Sequence, residues 1–466
     1  MIKFFNTLNR KIEPFYPLVP GKVKLYTCGP TVYDYAHIGN FRAYVFEDVL
    51  KRFLVFMGYK VTHVMNITDV DDKTIKSANK EQISLQQYTK KYIEAFFRDI
   101  KKLNIHEADF YPRATEHIPE MVQMIKILQE KGYAYEKDGS IYFEISKFPD
   151  YGRLSKINLG KLKPGTRVDS DEYMKENIYD FALWKQKKQG EPSWQTEIGT
   201  GRPGWHIECS AMSMKYLGQS FDIHCGGVDN IFPHHENEIA QSEAYSGKKF
   251  VNYWLHCHHL IVDGEKMSKS KGNFYLLKDI LDKKTDPNAL RLLLLSTHYR
   301  KTLNFTFDAL DQAQSSLQRI KSFLYELDNR TFNEGHNKNT NIKKIINKMN
   351  QKFIEGLSDD LNISVALTAL FEMIKKANIL ISTGKIFKKD AAELISALNS
   401  LDDILGVLPK KSIKVLPSNI IEKIEERQNA RKEKNFKLAD KIRDELLQKG
   451  IVLEDTKDGI RWKIKI

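Results

Sequence analysis

A strand–helix–strand pattern near the beginning of the chain is the feature that most limits how the protein folds. Residues 23–28 are typical of a short buried strand, a Gly-Pro pair interrupts it, and apolar residues recur at helical spacing over about residues 38–57. A glycine ends that helix, and a second strand covers residues 59–67. Because a crossover helix places its two strands side by side and parallel, the pattern predicts a Rossmann-type sheet.

Composition and charge indicate a folded chain of several domains with an anionic partner. The chain has 466 residues, of which 41% are hydrophobic and 29% charged, and its formal net charge is +13. Residues 410–466 contain 16 Lys or Arg against 10 Asp or Glu, so nearly half of the excess lies in the last eighth of the chain. This excess favours a polyanion, although solvated surface lysines are its ordinary explanation.

Neither a targeting segment nor a disulfide framework is predicted. The first residues lack an apolar signal core, and no run approaches the roughly 20 apolar residues that span a bilayer. Four cysteines in so long a chain are too few for a disulfide scaffold and are more typical of a metal site. We therefore expect a cytoplasmic protein without a membrane segment.

Two motifs far apart in the chain carry most of the chemical information. The first is Thr-Cys-Gly-Pro-Thr-Val-Tyr-Asp-Tyr-Ala-His-Ile-Gly-Asn at residues 27–40, and the second is Glu-Lys-Met-Ser-Lys-Ser at residues 265–270. Amide groups at the start of a helix bind phosphate oxygens, and imidazole and ammonium groups stabilise charge at a reacting phosphorus. The pair therefore suits nucleoside triphosphate chemistry.

These motifs resemble the two nucleotide-binding motifs of class I aminoacyl-tRNA synthetases. Cys28, just before the first motif, narrows the resemblance to the cysteinyl-tRNA synthetase family. Asn40 stands where the general class motif has a second histidine, and in this it resembles the cysteinyl subgroup. The resemblance implies catalytic residues His37, Lys266 and Lys269, further ATP-binding residues Gly39, Asn40, Gly227 and Asp229, and substrate-binding residues Thr31, Trp205 and His224.

A zinc site is implied by the same resemblance. His234 and Glu238 are four residues apart, which places both on one face of a helix. The family holds a zinc ion with two cysteines, a histidine and a glutamate, and in this chain the matching residues are Cys28, Cys209, His234 and Glu238. A metalloprotease HExxH motif is excluded because Ile239 stands where its second histidine is needed. The other two cysteines, Cys225 and Cys257, are interpreted as structural.

The predicted fold class is α/β. A Rossmann-type parallel-sheet catalytic domain with an insertion is followed by an all-α helical bundle and a small C-terminal module. Our predicted boundaries are residues 1–118 and 205–262 for the two catalytic halves, 119–204 for the connective insertion, 263–305 for the lysine loop and stem-contact region, 306–409 for the bundle and 410–466 for the module. Residues 408–412 are predicted to be a linker, and residues 333–339 a flexible loop.

The C-terminal module is predicted to bind the anticodon of tRNA. Bases and carboxylates alternate along a helix over residues 427–444, a pattern that a salt-bridged surface helix would also give. A short hairpin is expected around Asp458 and Gly459. The candidates for contact with phosphates or unpaired bases are Arg427, Arg431, Lys432, Lys441 and Trp462.

The predicted activity is the ligation of cysteine to tRNA-Cys with ATP and Mg²⁺, by a monomer. Two other functions remain open on the sequence. A cysteine ligase of the same superfamily that acts on an amino-sugar would share the zinc and nucleotide motifs but would not need residues 410–466. A non-catalytic RNA-binding paralogue is disfavoured by the intact His37, Lys266 and Lys269.

Overall fold

A computed structural model describes residues 1–157, 180–334, 340–408, 418–448, 451–456 and 459–464. The predicted strand–helix–strand unit is present, and it is preceded by a short antiparallel strand pair that the sequence analysis did not identify. The elements of this first part are β1 Lys3–Asn6, β2 Lys11–Pro14, β3 Lys22–Thr27, α1 Ile38–Phe56, β4 Lys60–Met65, α2 Asp72–Glu81, α3 Leu85–Lys102 and α4 Ile118–Glu130.

The predicted insertion contains a second sheet, of five short strands. The strands are antiparallel and lie in the order β5-β6-β7-β9-β8, and the sequence analysis predicted none of them. Strands this short show little periodicity, which is why the pattern missed them. Residues 158–179 of the insertion lie outside the described part of the chain. The strands are β5 Ala134–Lys137, β6 Ser140–Phe143, β7 Phe181–Gln186, β8 Trp194–Thr196 and β9 Gly199–Pro203.

The second half of the catalytic domain completes the central sheet. Four parallel strands lie in the order β11-β10-β3-β4. The crossover through α1 runs from β3 in one direction and the crossover through α6 runs from β10 in the other, so the chain reverses between β3 and β10. In an open α/β sheet, ligands bind at such a switch point, outside the carboxyl ends of the strands. The new elements are α5 Trp205–Leu217, β10 Phe221–Gly227, α6 Glu236–Ser246 and β11 Val251–Cys257.

Two apolar cores cover the two faces of this sheet. Leu25 of β3 packs in the core that contains α1 and the helices of the bundle that precedes the C-terminal module. Its neighbour Tyr26 packs in the core formed with α4, α5 and the insertion. Successive side chains of a strand point to opposite faces, so a strand buried on both faces reads as a continuous apolar run. The same property explains why the sequence analysis recognised β3 so readily.

The lysine loop lies beyond the sheet. Residues 254–262 look like one strand-like run in the sequence, but β11 ends at Cys257 and the next strand pairs in a separate three-stranded sheet, in the order β13-β12-β14. A run of apolar residues cannot reveal a change of sheet. The elements of this region are β12 Leu260–Val262, β13 Glu265–Lys266, α7 Leu277–Leu281, α8 Pro287–Ser296 and β14 Leu303–Phe305.

The helical region predicted after residue 305 is present, and a buried ionic cluster ties it to the catalytic domain. Asp48 of α1 accepts hydrogen bonds from Arg52, at 2.7 Å, and from Arg291 of α8, at 2.5 Å. Arg291 also donates to the carbonyl of Leu405, at 2.7 Å, which holds the end of the last bundle helix. The bundle helices are α9 Phe307–Asn329, α10 Thr340–Ser358, α11 Ile363–Ser382 and α12 Lys388–Leu405.

The C-terminal module has a small apolar core of its own, formed by Ile420, Ile442, Leu446 and Leu453. The predicted hairpin is confirmed, since its two strands pair antiparallel from Ile451–Ile464 to Thr456–Gly459. The predicted linker beyond Leu408 and most of the loop at 333–339 lie outside the described residues. The elements are α13 Ser418–Lys432, α14 Phe436–Gln448, β15 Ile451–Thr456 and β16 Gly459–Ile464.

Across the described residues, we find no helix with the length and apolar character needed to cross a bilayer.

Candidate active site and metal centre

The carboxyl ends of β3 and β10 bring the first motif to the switch point. The backbone N–H of Cys28 donates to the carbonyl of Cys225 at 3.2 Å, which continues the strand pairing by one residue. Gly29 then passes so close to β4 that a Cβ there would lie 1.8 Å from the carbonyl oxygen of Asn66. Only glycine allows this close approach, which turns the chain across the sheet edge and leaves Cys28 at the site.

Cys28, Cys209, His234 and Glu238 meet at this edge. One donor atom from each lies within 4.8 Å of the others. Cys209 comes from α5 and His234 from the irregular turn before α6, while Glu238 lies one helical turn later, with its Oε1 atom 3.1 Å from His234 Nε2. Three separate elements therefore deliver two thiols, an imidazole and a carboxylate to one point. These are donors that zinc accepts.

A second group of donors overlaps the first. Cys28 and Glu238 also lie within 4.8 Å of donor atoms from His224 and His235. His224 Nε2 lies 2.9 Å from Glu238 Oε2, and His235 Nε2 lies 3.2 Å from Cys28 Sγ. Glu238 is common to both groups, and among the described residues its buried Oε1 atom has no hydrogen-bond partner with suitable geometry. The set with Cys209 fits zinc better, because it offers two soft thiols where the other set offers one.

A network of buried histidines surrounds the cluster. His206 Nδ1 lies 2.9 Å from His234 Nδ1, which leaves the Nε2 atom of His234 facing Glu238. On the other side, His256 Nδ1 lies 2.8 Å from the Thr7 hydroxyl. Such contacts fix the orientation and tautomer of a ligating imidazole and of the carboxylate beside it.

The two thiols of the cluster lie side by side. A hydrogen bond between their side chains lowers the pKa of Cys209 and raises the pKa of Cys28, and burial also raises the latter. A metal binds the thiolate form, so the lowered pKa of Cys209 favours its role as a ligand.

Aromatic rings form the remaining wall of the cluster. Trp205, the first residue of α5, stacks on His234 with ring centroids 4.3 Å apart and an angle of 24° between the planes. Trp254 stacks on His224 at 4.6 Å and 19°. His224 and Trp254 are register partners on adjacent parallel strands, which places their rings side by side. The cluster is thus enclosed by packed rings rather than exposed at the surface.

The N-terminus of α1 lies at the same sheet edge. His37 caps the helix: its Nδ1 atom accepts the backbone N–H of Asn40 at 3.2 Å, and Asn40 Oδ1 accepts the backbone N–H of His37 at 3.0 Å. Since Nδ1 accepts, the ring proton is on Nε2, which is available as a donor. Burial lowers the pKa of His37, and the carboxylates of Asp229 and Asp34 offset only part of that effect. His37 is therefore a neutral hydrogen-bond donor.

Gly39 and Gly227 leave the space that this arrangement requires. A Cβ at Gly39 would lie 3.0 Å from the His37 ring and 3.3 Å from Met267 of the lysine loop. A Cβ at Gly227 would lie 2.4 Å from Asp229 Oδ1. The helix start, the lysine loop and the turn after β10 thus approach one another closely.

The lysine loop is a hairpin closed by Asn273. Its Oδ1 atom accepts the backbone N–H of Ser268 at 2.8 Å, and its Nδ2 donates to the carbonyl of Lys266 at 3.3 Å. Both loop glycines, Gly264 and Gly272, have positive φ, of 81° and 69°. The ammonium group of Lys269 contacts the carboxylate of Asp34 and lies 5.1 Å from the centre of the Phe274 ring.

Comparison with known proteins agrees with this geometry. Residues 14–315 match the family described as tRNA synthetases class I (C) catalytic domain, residues 352–409 match the DALR domain, and residues 416–462 match the cysteinyl-tRNA ligase anticodon binding domain. The chain is 51% identical to a cysteine–tRNA ligase of Brachyspira hyodysenteriae over 100% of its own length and 99% of that protein. The chain belongs to the cysteine–tRNA ligase family. A relative of the same name from Chlamydia muridarum is 50% identical and covers 98% of both chains.

The fold of this family member also matches solved structures of class I synthetases. Mycobacterium tuberculosis methionyl-tRNA synthetase in complex with methionyl-adenylate superimposes with a TM-score of 0.60 over 83% of this chain and 90% of that one, at 16% identity. The predicted class, a Rossmann-type catalytic domain followed by a helical region, is confirmed.

For this cysteine–tRNA ligase family member, several predicted site residues are found close together. The four ligand candidates meet, and His37, Gly39, Asn40 and Asp229 lie around the start of α1. His224 is fully buried against Glu238, so its contact is with a ligand candidate rather than with an open cleft. Thr31 forms a parallel bridge with Thr68 beside the same edge, and Lys266 lies on β13.

The predicted tRNA-contacting residues differ in whether their side chains are exposed. Arg427 is buried, with 4% of its surface exposed, so this position does not present its guanidinium group to RNA, and we withdraw that prediction. A helix pattern of charges gave no sign that this face turns inward. Arg431 and Lys441 are exposed. The side chains of Lys432 and Trp462 lie outside the described part of the chain.

Three histidines and a tryptophan of the site were missed by the sequence analysis: His206, His235, His256 and Trp254. Their only local signals are the pair His234–His235 and the i, i+2 spacing of Trp254 and His256, which puts both on one face of β11.

Proposed function

We propose that the protein activates L-cysteine with ATP to give cysteinyl-adenylate and pyrophosphate, and then transfers cysteine to the terminal ribose of tRNA-Cys. The observation that carries this proposal is the meeting of Cys28, Cys209, His234 and Glu238 at the sheet edge that also bears His37. A nucleotide site and a thiol-selective site in one cleft are what such an activation requires.

Zinc is the metal that the donor set fits. Cys28, Cys209, His234 and Glu238 would hold it, and two sulfur donors with one imidazole and one carboxylate match its preferences. When bound, the ion supplies a Lewis acid that binds a thiolate far better than a hydroxyl group. A pocket alone separates near-isosteres such as cysteine and serine by only about 1–3 kcal/mol.

The adenylation step needs orientation and charge stabilisation rather than a covalent nucleophile. The cysteine carboxylate attacks the α-phosphorus of ATP, and pyrophosphate leaves with its Mg²⁺. His37 donates its Nε2 proton in a hydrogen bond to a phosphate oxygen, and the backbone amide of Gly39 at the start of α1 binds the same group. Lys266 and Lys269 stabilise the charge that builds on the departing phosphates. Gly227 and Asp229 contact the adenosine, with the Asp229 carboxylate on the ribose hydroxyls.

The amino acid lies between the cluster and the helix start. Trp205 stacks on His234 and is only partly buried, which supports its assignment to the substrate pocket. Thr31 completes that pocket, and His224 supports it indirectly through its contact with Glu238. Transfer then takes place from the adenylate to the 2′-hydroxyl of the terminal ribose, as class I membership implies.

The C-terminal module would bind the anticodon. Its matched family is described as a cysteinyl-tRNA ligase anticodon binding domain. Exposed Arg431 and Lys441, with Lys432 and Trp462, are the proposed contacts. Another surface of the module is negatively charged and would repel RNA, which supports this choice. A groove on that surface is lined by Glu422, Glu425, Glu426 and Glu433.

We further propose a monomer that acts in the cytoplasm. The four cysteines are free, and the paired thiols at the site need reducing conditions to remain ligands.

The amino-sugar ligase is the weaker alternative. It would not need residues 410–466, whereas residues 416–462 match an anticodon binding domain and the relatives from Brachyspira and Chlamydia cover the full chain.

Cysteine-dependent exchange of pyrophosphate into ATP, followed by charging of total tRNA, tests the proposal. We expect exchange with cysteine but not with serine, and the attachment of cysteine to tRNA-Cys. Exchange without any charging of tRNA would favour the amino-sugar ligase, and the absence of exchange would exclude both ligases.

A further inference from the structure

Asp34 lies on a short segment that is held rigidly by α3. The hydroxyl of Tyr88 donates to the carbonyl of Tyr33 at 2.6 Å, and the ring of Tyr35 packs edge-on against Tyr92 with centroids 5.0 Å apart. The Oδ1 atom of Asp34 accepts the backbone N–H of Tyr35 at 2.8 Å. The orientation of the carboxylate is thus fixed, and its Oδ2 atom contacts the lysine loop.

The partner of that oxygen is the second lysine of the loop. Lys269 Nζ contacts Asp34 Oδ2 and lies over Phe274, whose ring packs edge-on against His37 at 5.2 Å. The ammonium group is therefore held beside the start of α1. The neighbouring Lys271 behaves differently, since it pairs with Glu265 of the same hairpin at 2.8 Å.

The contact competes with the role proposed for Lys269. An ammonium group bound to a carboxylate cannot at the same time give its full charge to a triphosphate. We propose that Asp34 is a positioning residue for adenylation. It holds Lys269 in place before ATP binds, and the triphosphate must then displace Asp34 from the lysine. This inference rests on the proposed adenylation function.

The expected size of the effect follows from exposure. The side chain of Lys269 is 65% exposed and that of Asp34 30% exposed. Ion pairs in such surroundings shift an equilibrium by about two- to fivefold. A lysine held away from its substrate raises the apparent dissociation constant by the inverse of the fraction that is free. The loop is thus weakly held, as a loop that must move requires.

Asp34→Asn in the full-length protein tests the inference. The substitution keeps the size of the side chain and its hydrogen bond to Tyr35 but removes the charge. In pyrophosphate exchange we expect kcat/KM for ATP to rise about two- to fivefold, with the KM for cysteine unchanged. Asp34→Glu, which keeps the carboxylate, should leave kcat/KM for ATP close to that of the parent protein.

Glu265→Gln is the matched control. It breaks the ion pair of Lys271 within the same loop, where the lysine is 54% exposed against 65% for Lys269. We expect it to leave kcat/KM for ATP unchanged. An equal rise in this control would overturn the inference, because any loss of charge in the loop would then act like the loss of Asp34.

Hydrogen exchange of residues 264–274 gives a readout that does not depend on activity. Without ATP, these amides should exchange faster in Asp34→Asn than in the parent or in Glu265→Gln. For Asp34→Asn, unchanged hydrogen exchange of the loop would contradict the inference. An unchanged or lower kcat/KM for ATP would contradict it as well. If the parent protein shows no cysteine-dependent exchange of pyrophosphate, the adenylation function itself fails and the positioning role fails with it. The loop measurement would still show whether the contact exists.

Discussion

At the scale of single residues, the chemistry of the site depends on groups that are unusual for a protein interior. Glu238 is completely buried, and its Oε1 atom has no hydrogen-bond partner within the described part of the chain. The thiols of Cys28 and Cys209 beside it form a hydrogen bond with each other. A buried carboxylate oxygen without a partner costs free energy unless something binds it. Without a metal ion, the buried carboxylate oxygen would carry this cost. A bound metal ion would offset it.

Cys209→Ser tests this conclusion directly. A hydroxyl group is a poorer ligand for zinc than a thiolate, so we expect the bound zinc to fall below one per chain and the KM for cysteine to rise. Elemental analysis of the purified protein and pyrophosphate exchange measure the two effects. Cys257→Ser, at a buried cysteine outside the cluster, should keep the full zinc content. Full zinc content and unchanged cysteine activation in Cys209→Ser would mean that the site is wrongly assigned.

His63 predicts how stability depends on pH. Burial lowers its pKa from 6.5 to about 3, so the folded protein keeps it neutral while the unfolded chain binds a proton below pH 6.5. Its contribution to stability is therefore complete above pH 6.5 and is lost as the pH falls from about 6.5 towards 3.

His63→Gln removes this titration and keeps a donor for the hydroxyl of Thr27, which lies 2.9 Å from His63 Nε2. The loss of unfolding free energy between about pH 6 and pH 4 should be about 2 kcal/mol smaller than in the parent. Urea denaturation at a series of pH values measures it. The exposed His259→Gln serves as the control. An equal loss in His63→Gln and the parent would show that His63 does not account for acid sensitivity.

At the scale of elements, two local structures define the proposed nucleotide site. The start of α1 is fixed by the reciprocal cap between His37 and Asn40, and the loop after β13 is closed by Asn273. The cap uses the backbone amide of Asn40 and the oxygen of its side chain, so Asn40 contributes to the site chiefly by holding His37 in place. A neutral, well-placed imidazole and a movable lysine loop are the two parts that the chemistry combines.

Lys269→Ala is predicted to slow adenylation far more than it weakens binding. Its ammonium group matters most when charge builds on the phosphates, and a contact made mainly in the transition state affects kcat. We expect a fall in kcat of about 10²-fold, with the KM for cysteine nearly unchanged. Lys271→Ala, which loses an ion pair within the loop, should retain most of the activity. A raised KM for ATP at unchanged kcat would contradict the role.

At the scale of the whole molecule, the catalytic domain and the bundle share one apolar core, whereas the C-terminal module has its own. The buried contacts of Arg291 with Asp48 and with the carbonyl of Leu405 fix the last bundle helix against α1. These contacts involve no residue beyond 408. The catalytic domain and the bundle are therefore held together without the C-terminal module.

Deletion of residues 410–466 should therefore separate the two half-reactions. Cysteine-dependent pyrophosphate exchange should remain largely intact, while the charging of tRNA-Cys should fall sharply because the anticodon contacts are lost. Binding of tRNA by the full-length protein should weaken steeply as salt is raised, since phosphate contacts release counterions. If the truncated protein charges tRNA as well as the intact one, the anticodon assignment is wrong.

The sequence alone determined the features that depend on neighbouring residues. The strand–helix–strand unit, the two nucleotide motifs, the i, i+4 spacing of His234 and Glu238 and the final hairpin each lie within a short stretch, where local geometry sets which side chains share a face. The choice of Cys28 and Cys209 as partners came from the family resemblance, because nothing local links them.

The tertiary structure alone decided which distant residues meet. It placed His206, His235, His256 and Trp254 around the ligands, brought Asp34 to Lys269 and turned Arg427 inward. It also divided one apolar run into strands of two sheets. The physical reason is that the pairing of parallel strands and the packing of helices across a sheet join segments that are far apart in the chain. The periodicity of each segment shows which face is buried but not what it is buried against.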